Sequence, residues 1–105
     1  MIGKVKLTKE ELEDICSKEG FKQLPWGKCD KYSTLVAKCL FNKHGLPCRI
    51  LKRGGHVFVL VNGQWIVDLV AWDHAKQYPK LKHSKYLSRG IVFDKHKHAE
   101  HFEYV

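Results

Sequence analysis

The sequence predicts an α+β fold, in which one long helix packs on a small antiparallel β-sheet. Apolar residues recur at helical spacing from about residue 29 to residue 43. After Pro47 the apolar period shortens to that of β-strands, and two β-rich runs flank an Asn-Gly dipeptide. Asn-Gly is the strongest short-range signal of a β-hairpin, so the two runs are expected to pair antiparallel.

A first helix is predicted at about residues 8–19. Thr8 and Glu11 form a capping-box pattern, in which each side chain accepts a hydrogen bond from the other residue's backbone amide. Gly20 is a residue type that ends helices, because it adopts a left-handed backbone at little steric cost. Residues 21–28, which contain proline and glycine, are predicted to form a loop.

The second helix is predicted at about residues 29–43. Asp30 suits its first turn and Lys43 its last, because the helix dipole favours anions at the start and cations at the end. Gly45 is expected to end this helix, and Pro47 prevents it from restarting.

The predicted sheet consists of short strands. They are expected at about residues 48–53, 56–61 and 64–69, with candidate closing strands at 91–93 and 102–105. Residues 73–90 are polar, basic and rich in His and Lys, which indicates a short helix with a long loop. The length predicts a single domain over residues 1–105.

The charge and the cysteines bound the class of protein. The formal charge is +8, from 19 Lys and Arg against 11 Asp and Glu. This excess favours acidic proteins or nucleic acid as partners, although a spread charge also suits an ordinary solvated surface. No apolar run approaches the ~20 residues of a membrane span, and the N-terminus lacks the apolar region of a signal peptide. Four irregularly spaced cysteines are therefore expected to be reduced thiols in a cytoplasmic protein.

Cys29 is the candidate nucleophile. It lies where a glycine-containing loop enters the second helix. At a helix start, the dipole and the unpaired amides favour a thiolate and can hold a developing oxyanion. A free cysteine is more often a small buried hydrophobe, and this is the interpretation for Cys16, Cys39 and Cys48.

His56 and Asp68 are the candidate partners of Cys29. Asp68 lies in an apolar run, where a carboxylate is costly unless it is paired. A three-residue loop over residues 61–63 pairs residue 60 with residue 64 and places His56 directly opposite Asp68, so that the carboxylate can orient the imidazole. A two-residue loop instead places the two side chains on opposite faces of the sheet.

Two loop residues before Cys29 complete the predicted site. The Gln23 amide is placed to donate to an oxyanion, and Trp26 to shape a substrate cleft, although either suits an ordinary loop or core residue. His44 and the other remaining histidines lie in charged, polar stretches and are expected to be solvated. No metal and no cofactor are expected.

Three segments carry a family resemblance. They are Gly27-Lys28-Cys29 with Tyr32 three residues later, Gly45-Leu46-Pro47-Cys48-Arg49-Ile50, and His56-Val57-Phe58-Val59 followed by Trp65 and Val67-Asp68. In order and rough spacing these resemble the nucleophile helix, the Gly-Ile-Pro-Ala-Arg-Val segment and the His and Asp strands of transglutaminase-like proteins. The position of Gln23 is instead similar to that in papain, whose family shares the core fold.

The resemblance implies a minimal papain/transglutaminase-like core with a Cys-His-Asp triad. The family's His is usually followed by Ala-Trp and its Asp by Pro-Thr, whereas Val57-Phe58 and Leu69-Val70 stand here. The resemblance therefore does not decide between proteolysis, deamidation and transamidation.

Four functions remain open from the sequence. The preferred one is a thiol enzyme acting on a protein or peptide, for which an acidic substrate suits the positive charge. The second is a catalytically retired module on the same fold that binds acidic protein or nucleic acid. The third is a zinc site at Cys29, His56 and Asp68, which lacks a closely spaced ligand pair. The fourth is nucleic-acid binding by residues 76–98, which contain no recognised motif.

Overall fold

In the part of the chain that the structure describes, two helices pack on a four-stranded antiparallel open sheet, which makes the fold α+β. The computed structural model describes residues 6–25, 27–53, 56–71 and 90–95. The elements, in chain order, are α1 (Lys9–Lys18), α2 (Cys29–His44), β1 (Cys48–Arg53), β2 (His56–Val61), β3 (Trp65–Val67) and β4 (Val92–Asp94). The strand order in the sheet is the chain order, β1-β2-β3-β4.

The helix ends follow the local signals in the sequence. Thr8 Oγ1 accepts the Glu11 amide at 3.1 Å, and Glu11 Oε1 accepts the Thr8 amide at 3.0 Å, so the predicted capping box is present. Gly45 follows α2 in the left-handed conformation, with a φ of 65°. The predicted bounds of both helices are therefore confirmed to within one residue at each end.

The sheet has two apolar faces. On the face toward the helices, Val59, Val61 and Val67 join one buried cluster. Its members from the helices are Leu12, Cys16, Val36 and Leu40. On the other face, Phe58, Ile66 and Phe93 form a second buried cluster. This alternation along β2 and β3 is the two-residue period of strands with both faces covered.

The hairpin between β2 and β3 corrects the predicted register. Val61 is opposite Trp65 and Val59 opposite Val67, instead of residue 60 opposite residue 64. The loop is residues 62–64, because Asn62 and Gly63 both have positive φ, at 55° and 67°, and the Gln64 amide bonds the Val61 carbonyl at 3.0 Å. His56 and Asp68 are therefore not directly opposite. The observed register differs from the predicted one by two residues, an even number, so His56 and Asp68 still point to the same face of the sheet.

The position of Gln64 in the loop, rather than at the start of β3, has a tertiary cause. Its side-chain oxygen accepts the Leu7 amide at 3.1 Å and the Asn62 side-chain amide at 2.7 Å. These bonds hold Gln64 in the turn, and β3 begins at Trp65 rather than at residue 64 as predicted. The strand also ends earlier than residue 69, because Asp68 Oδ1 accepts the Val70 amide and turns the chain.

Some of the remaining sequence predictions fall on described residues and can be compared with the structure, whereas others fall outside them. β1 and β2 have their predicted bounds, and β4 lies one residue later than the predicted strand at 91–93. The predicted strand at 102–105 lies outside the described residues, and so does nearly all of the short helix with a long loop predicted at 73–90. Within the described part of the chain, no helix is long and apolar enough to cross a membrane.

Gly63→Val tests the hairpin. Gly63 has a φ of 67°, and an added Cβ would meet no atom within 4 Å, so the expected strain comes from the backbone conformation and not from a clash of the Cβ. We expect the free energy of unfolding, measured by urea denaturation, to fall by about 1–2 kcal/mol, because an L-residue in the left-handed region is strained. Gly63→Asn is the matched control, since Asn tolerates this conformation, and it should lose less. Equal losses in both variants would contradict this view of the turn.

Candidate active site

The start of α2 and the start of β2 lie at the same end of the molecule. Ser33, in the second turn of α2, donates its hydroxyl to the Val57 carbonyl at 3.2 Å. Ser33 is buried, so this bond fixes the position of the helix along the strand. Cys29 and His56, which begin the two elements, are thereby carried to one end of the fold.

Cys29 is the first residue of α2 and is half-buried. Lys28, which precedes it, provides no side-chain hydrogen bond to cap the helix. The amides of a first helical turn have no partner within the helix, and their positive end favours an anion. Cys29 lines a cleft between α2 and the sheet, together with Val57, Asp68 and Val70. The predicted location of Cys29 at a helix start is confirmed, and its role as a nucleophile stays a prediction.

His56 and Asp68 form a buried pair. The His56 Nε2 and Asp68 Oδ2 atoms are 2.7 Å apart, and the two side chains are 0% and 1% exposed. The second carboxylate oxygen accepts the Val70 amide at 3.1 Å, so both oxygens of Asp68 are bonded. The His56 ring also lies 5.7 Å from the Phe58 ring, measured between centroids. The predicted contact of imidazole and carboxylate is confirmed, across a diagonal of the hairpin.

Asp68 connects the two halves of the candidate site. It bonds His56 and also lines the cleft that contains Cys29. Among the described residues, no hydrogen bond joins the Cys29 thiol to His56, whose Nδ1 atom is buried. The structure therefore brings together the His–Asp pair and places Cys29 on the neighbouring cleft, and the three-residue triad stays a prediction.

Gln23 has a structural partner. Its side-chain amide donates to the Gly90 carbonyl at 3.1 Å, across 67 residues of chain. This bond ties the loop before α2 to the segment before β4. A Gln amide has a second N–H, so the predicted contact with an oxyanion stays a prediction. Trp26, the predicted cleft residue, lies outside the described residues.

A second, apolar cavity adjoins the cleft. Its volume is about 190 Å³, and its walls include Phe21, Leu24 and Leu35. Tyr32, Val36 and Leu69 line both spaces. An apolar cavity of about 150 Å³ is large enough for benzene. The apolar cavity, which shares these three walls with the cleft of Cys29, therefore fits a branched aliphatic or aromatic group.

The other three cysteines have environments that suppress a thiolate. Burial raises the pKa of Cys16 to about 12 and that of Cys48 to about 11. Desolvation and a hydrogen bond to the Glu19 carboxylate raise the pKa of Cys39. Near neutral pH these thiols are protonated and weakly nucleophilic.

One cluster of chemically capable side chains was missed by the sequence analysis. Potential ligand atoms of Glu19, Cys39 and His44 lie within 4.8 Å of one another. His44 is not simply solvated as predicted, because its Nε2 lies 2.8 Å from Glu19 Oε2. No sequence motif links these residues, since Glu19 follows α1 and the other two lie near the end of α2.

Comparison with known proteins identifies no relative of this chain. No family model matches the chain, and neither curated proteins nor solved structures show a significant match. The papain/transglutaminase resemblance therefore stays a prediction from the residues.

Asp68→Ala and Asp68→Asn form a matched pair of variants for the buried contact. Alanine removes the acceptor of both the His56 imidazole and the Val70 amide. We expect unfolding to be easier by at least about 2 kcal/mol, because each buried donor left unsatisfied costs about 1–3 kcal/mol. Asparagine keeps one oxygen and should lose less. Urea denaturation measures the free energy of unfolding of both variants. An alanine variant as stable as the parent protein would show that the His56–Asp68 pair does not stabilise the fold.

Proposed function

We propose that this protein is a cysteine-nucleophile acyl-transfer enzyme on a minimal papain/transglutaminase-like core. The observation that carries the proposal is the buried His56–Asp68 hydrogen bond of 2.7 Å beside the cleft that Cys29 lines. A carboxylate that orients an imidazole, near a cysteine at a helix start, is the arrangement that thiol acyl transfer requires. The substrate class is an amide or ester of a protein or peptide.

Each residue has a defined role in the proposed reaction. The Cys29 thiol gives its proton to His56, and the thiolate attacks the carbonyl carbon. The developing oxyanion is held by amides of the first turn of α2, and His56 then protonates the leaving amine. Water or an acceptor amine releases the acyl group from Cys29. Asp68 holds Nε2 of His56, so Nδ1 is the nitrogen that exchanges the proton with the thiol.

The proposal requires the thiol and Nδ1 to approach each other when substrate binds. Catalytic hydrogen bonds are often long in the absence of substrate and shorten in the reactive complex. His56 and Cys29 begin β2 and α2 at the same end of the fold, whereas the alternation along β2 places the His56 ring beside Phe58, on the sheet face away from the helices. The proposal therefore requires a movement at the start of β2 or of α2. The formal charge of +8 favours substrates with acidic segments.

The second candidate is a retired module that keeps the His–Asp pair for packing and binds acidic protein or nucleic acid. The complete burial of both side chains favours it, because a paired, buried polar group is also an ordinary structural element. The two candidates differ in the reactivity of Cys29, since only the enzyme needs an activated thiol.

Competition among the four thiols for iodoacetamide tests the proposal. At pH 7.5 we expect Cys29 to be alkylated first, because burial raises the pKa of Cys16 to about 12 and that of Cys48 to about 11. The site-resolved rates are read by mass spectrometry at several times. Cys48, which is also half-buried, is the internal control within the same molecule.

His56→Gln separates activation from simple exposure. A general base contributes about 10²–10⁴-fold to a reaction, so the Cys29 rate should fall by at least about tenfold, while the Cys48 rate stays unchanged. Thermal unfolding confirms that the variant is folded, and Asp68→Asn serves as a second variant. A Cys29 rate that is insensitive to both changes would assign the faster alkylation to exposure and favour the retired module.

A further inference from the structure

Glu19, Cys39 and His44 form a mixed cluster of sulfur, nitrogen and oxygen ligands on the side of the molecule formed by the ends of the two helices. Glu19 follows α1, Cys39 lies in α2 and His44 is its last residue. Glu19 and Cys39 are partly buried and His44 is more exposed. A metal ion could thus reach the cluster from solvent, which could also supply a further ligand.

The donor types and distances fit zinc. Zinc binds thiolate, imidazole and carboxylate at about 2.3, 2.0–2.1 and 2.0–2.2 Å, which places tetrahedral ligand atoms roughly 3.3–3.6 Å apart. The three candidate atoms lie within 4.8 Å of one another, and His44 Nε2 is 2.8 Å from Glu19 Oε2. Side-chain shifts of about 1 Å therefore suffice, and they occur at a solvent-accessible helix end.

Lys43 carries the positive charge that most opposes the binding of a cation to this cluster. Its ammonium lies 3.2 Å from Glu19 Oε1, whereas His44 bonds the other oxygen, Oε2. A metal bound through Oε2 leaves the contact of Lys43 with Oε1 in place as an outer hydrogen bond of the ligating carboxylate. The ammonium also repels a divalent cation, so this residue should weaken the site without blocking it.

We propose that Glu19, Cys39 and His44 form a zinc site with three protein ligands and water in the fourth position. On binding, Zn²⁺ takes up the Cys39 thiolate, the neutral His44 imidazole and the Glu19 carboxylate, and the thiol proton passes to solvent. The bound ion cross-links the end of α1 to the end of α2. It is separate from the candidate active site at Cys29.

Cobalt(II) titration of the full chain tests the ligand set, because a thiolate bound to cobalt has a charge-transfer absorption that other ligands lack. We expect this band to saturate at a single cobalt ion per chain and to disappear when Zn²⁺ is added. Cys39→Ser should abolish the band, whereas the matched variants Cys29→Ser and Cys48→Ser should keep it. The absence of a band in the parent protein, or its persistence in Cys39→Ser, would overturn the proposal.

Thermal unfolding with Zn²⁺ supplies a readout that does not depend on sulfur. A ligand that binds only the folded state raises the melting temperature with its concentration. His44→Gln and Glu19→Gln should weaken Zn²⁺ binding by more than tenfold, and Lys43→Gln should strengthen it by roughly two- to fivefold. A shift of equal size in His44→Gln and in the parent protein would place the ion on other histidines and refute the site.

Discussion

The buried hydrogen bond between His56 and Asp68 holds together the end of the sheet on which the proposed chemistry depends. His56 begins β2 and Asp68 follows β3, and both side chains are almost completely excluded from solvent. A carboxylate is tolerated there because the imidazole and the Val70 amide bond its two oxygens. Since Asp68 also lines the cleft of Cys29, the packing of this region and the proposed reaction rest on the same contact.

The position of Cys29 depends on the docking of α2 against β2. Val36 and Leu40 bury one face of the helix, and the Ser33–Val57 hydrogen bond sets its axial position. Apolar packing alone permits a helix to slide, whereas a buried hydroxyl needs its acceptor. A shift of one turn, about 5.4 Å, would carry Cys29 out of the cleft. Cys29 is thus placed by a contact one turn further along the helix.

The parts of the fold that could be predicted are those with local causes. The capping residues Thr8 and Glu11 define where α1 begins, and the Asn-Gly dipeptide requires a tight turn after β2. The shared face of His56 and Asp68 was also predictable, because alternation survives a shift of two residues. The register itself was not. Gln64 is held in the turn by the Leu7 amide, 57 residues away, and no local pattern encodes that contact.

The sequence by itself determined the α+β class and the helix start at Cys29. It also determined that the Asp68 carboxylate, in an apolar run, needs a hydrogen-bond partner. These features follow from periodicity, capping and desolvation, which act over a few residues. Only the tertiary structure decided that the Gln23 amide bonds Gly90 and that Glu19 meets Cys39 and His44. Such contacts join residues that are distant in the chain. They form only because the helices pack on the sheet and bring together chain segments that share no sequence pattern.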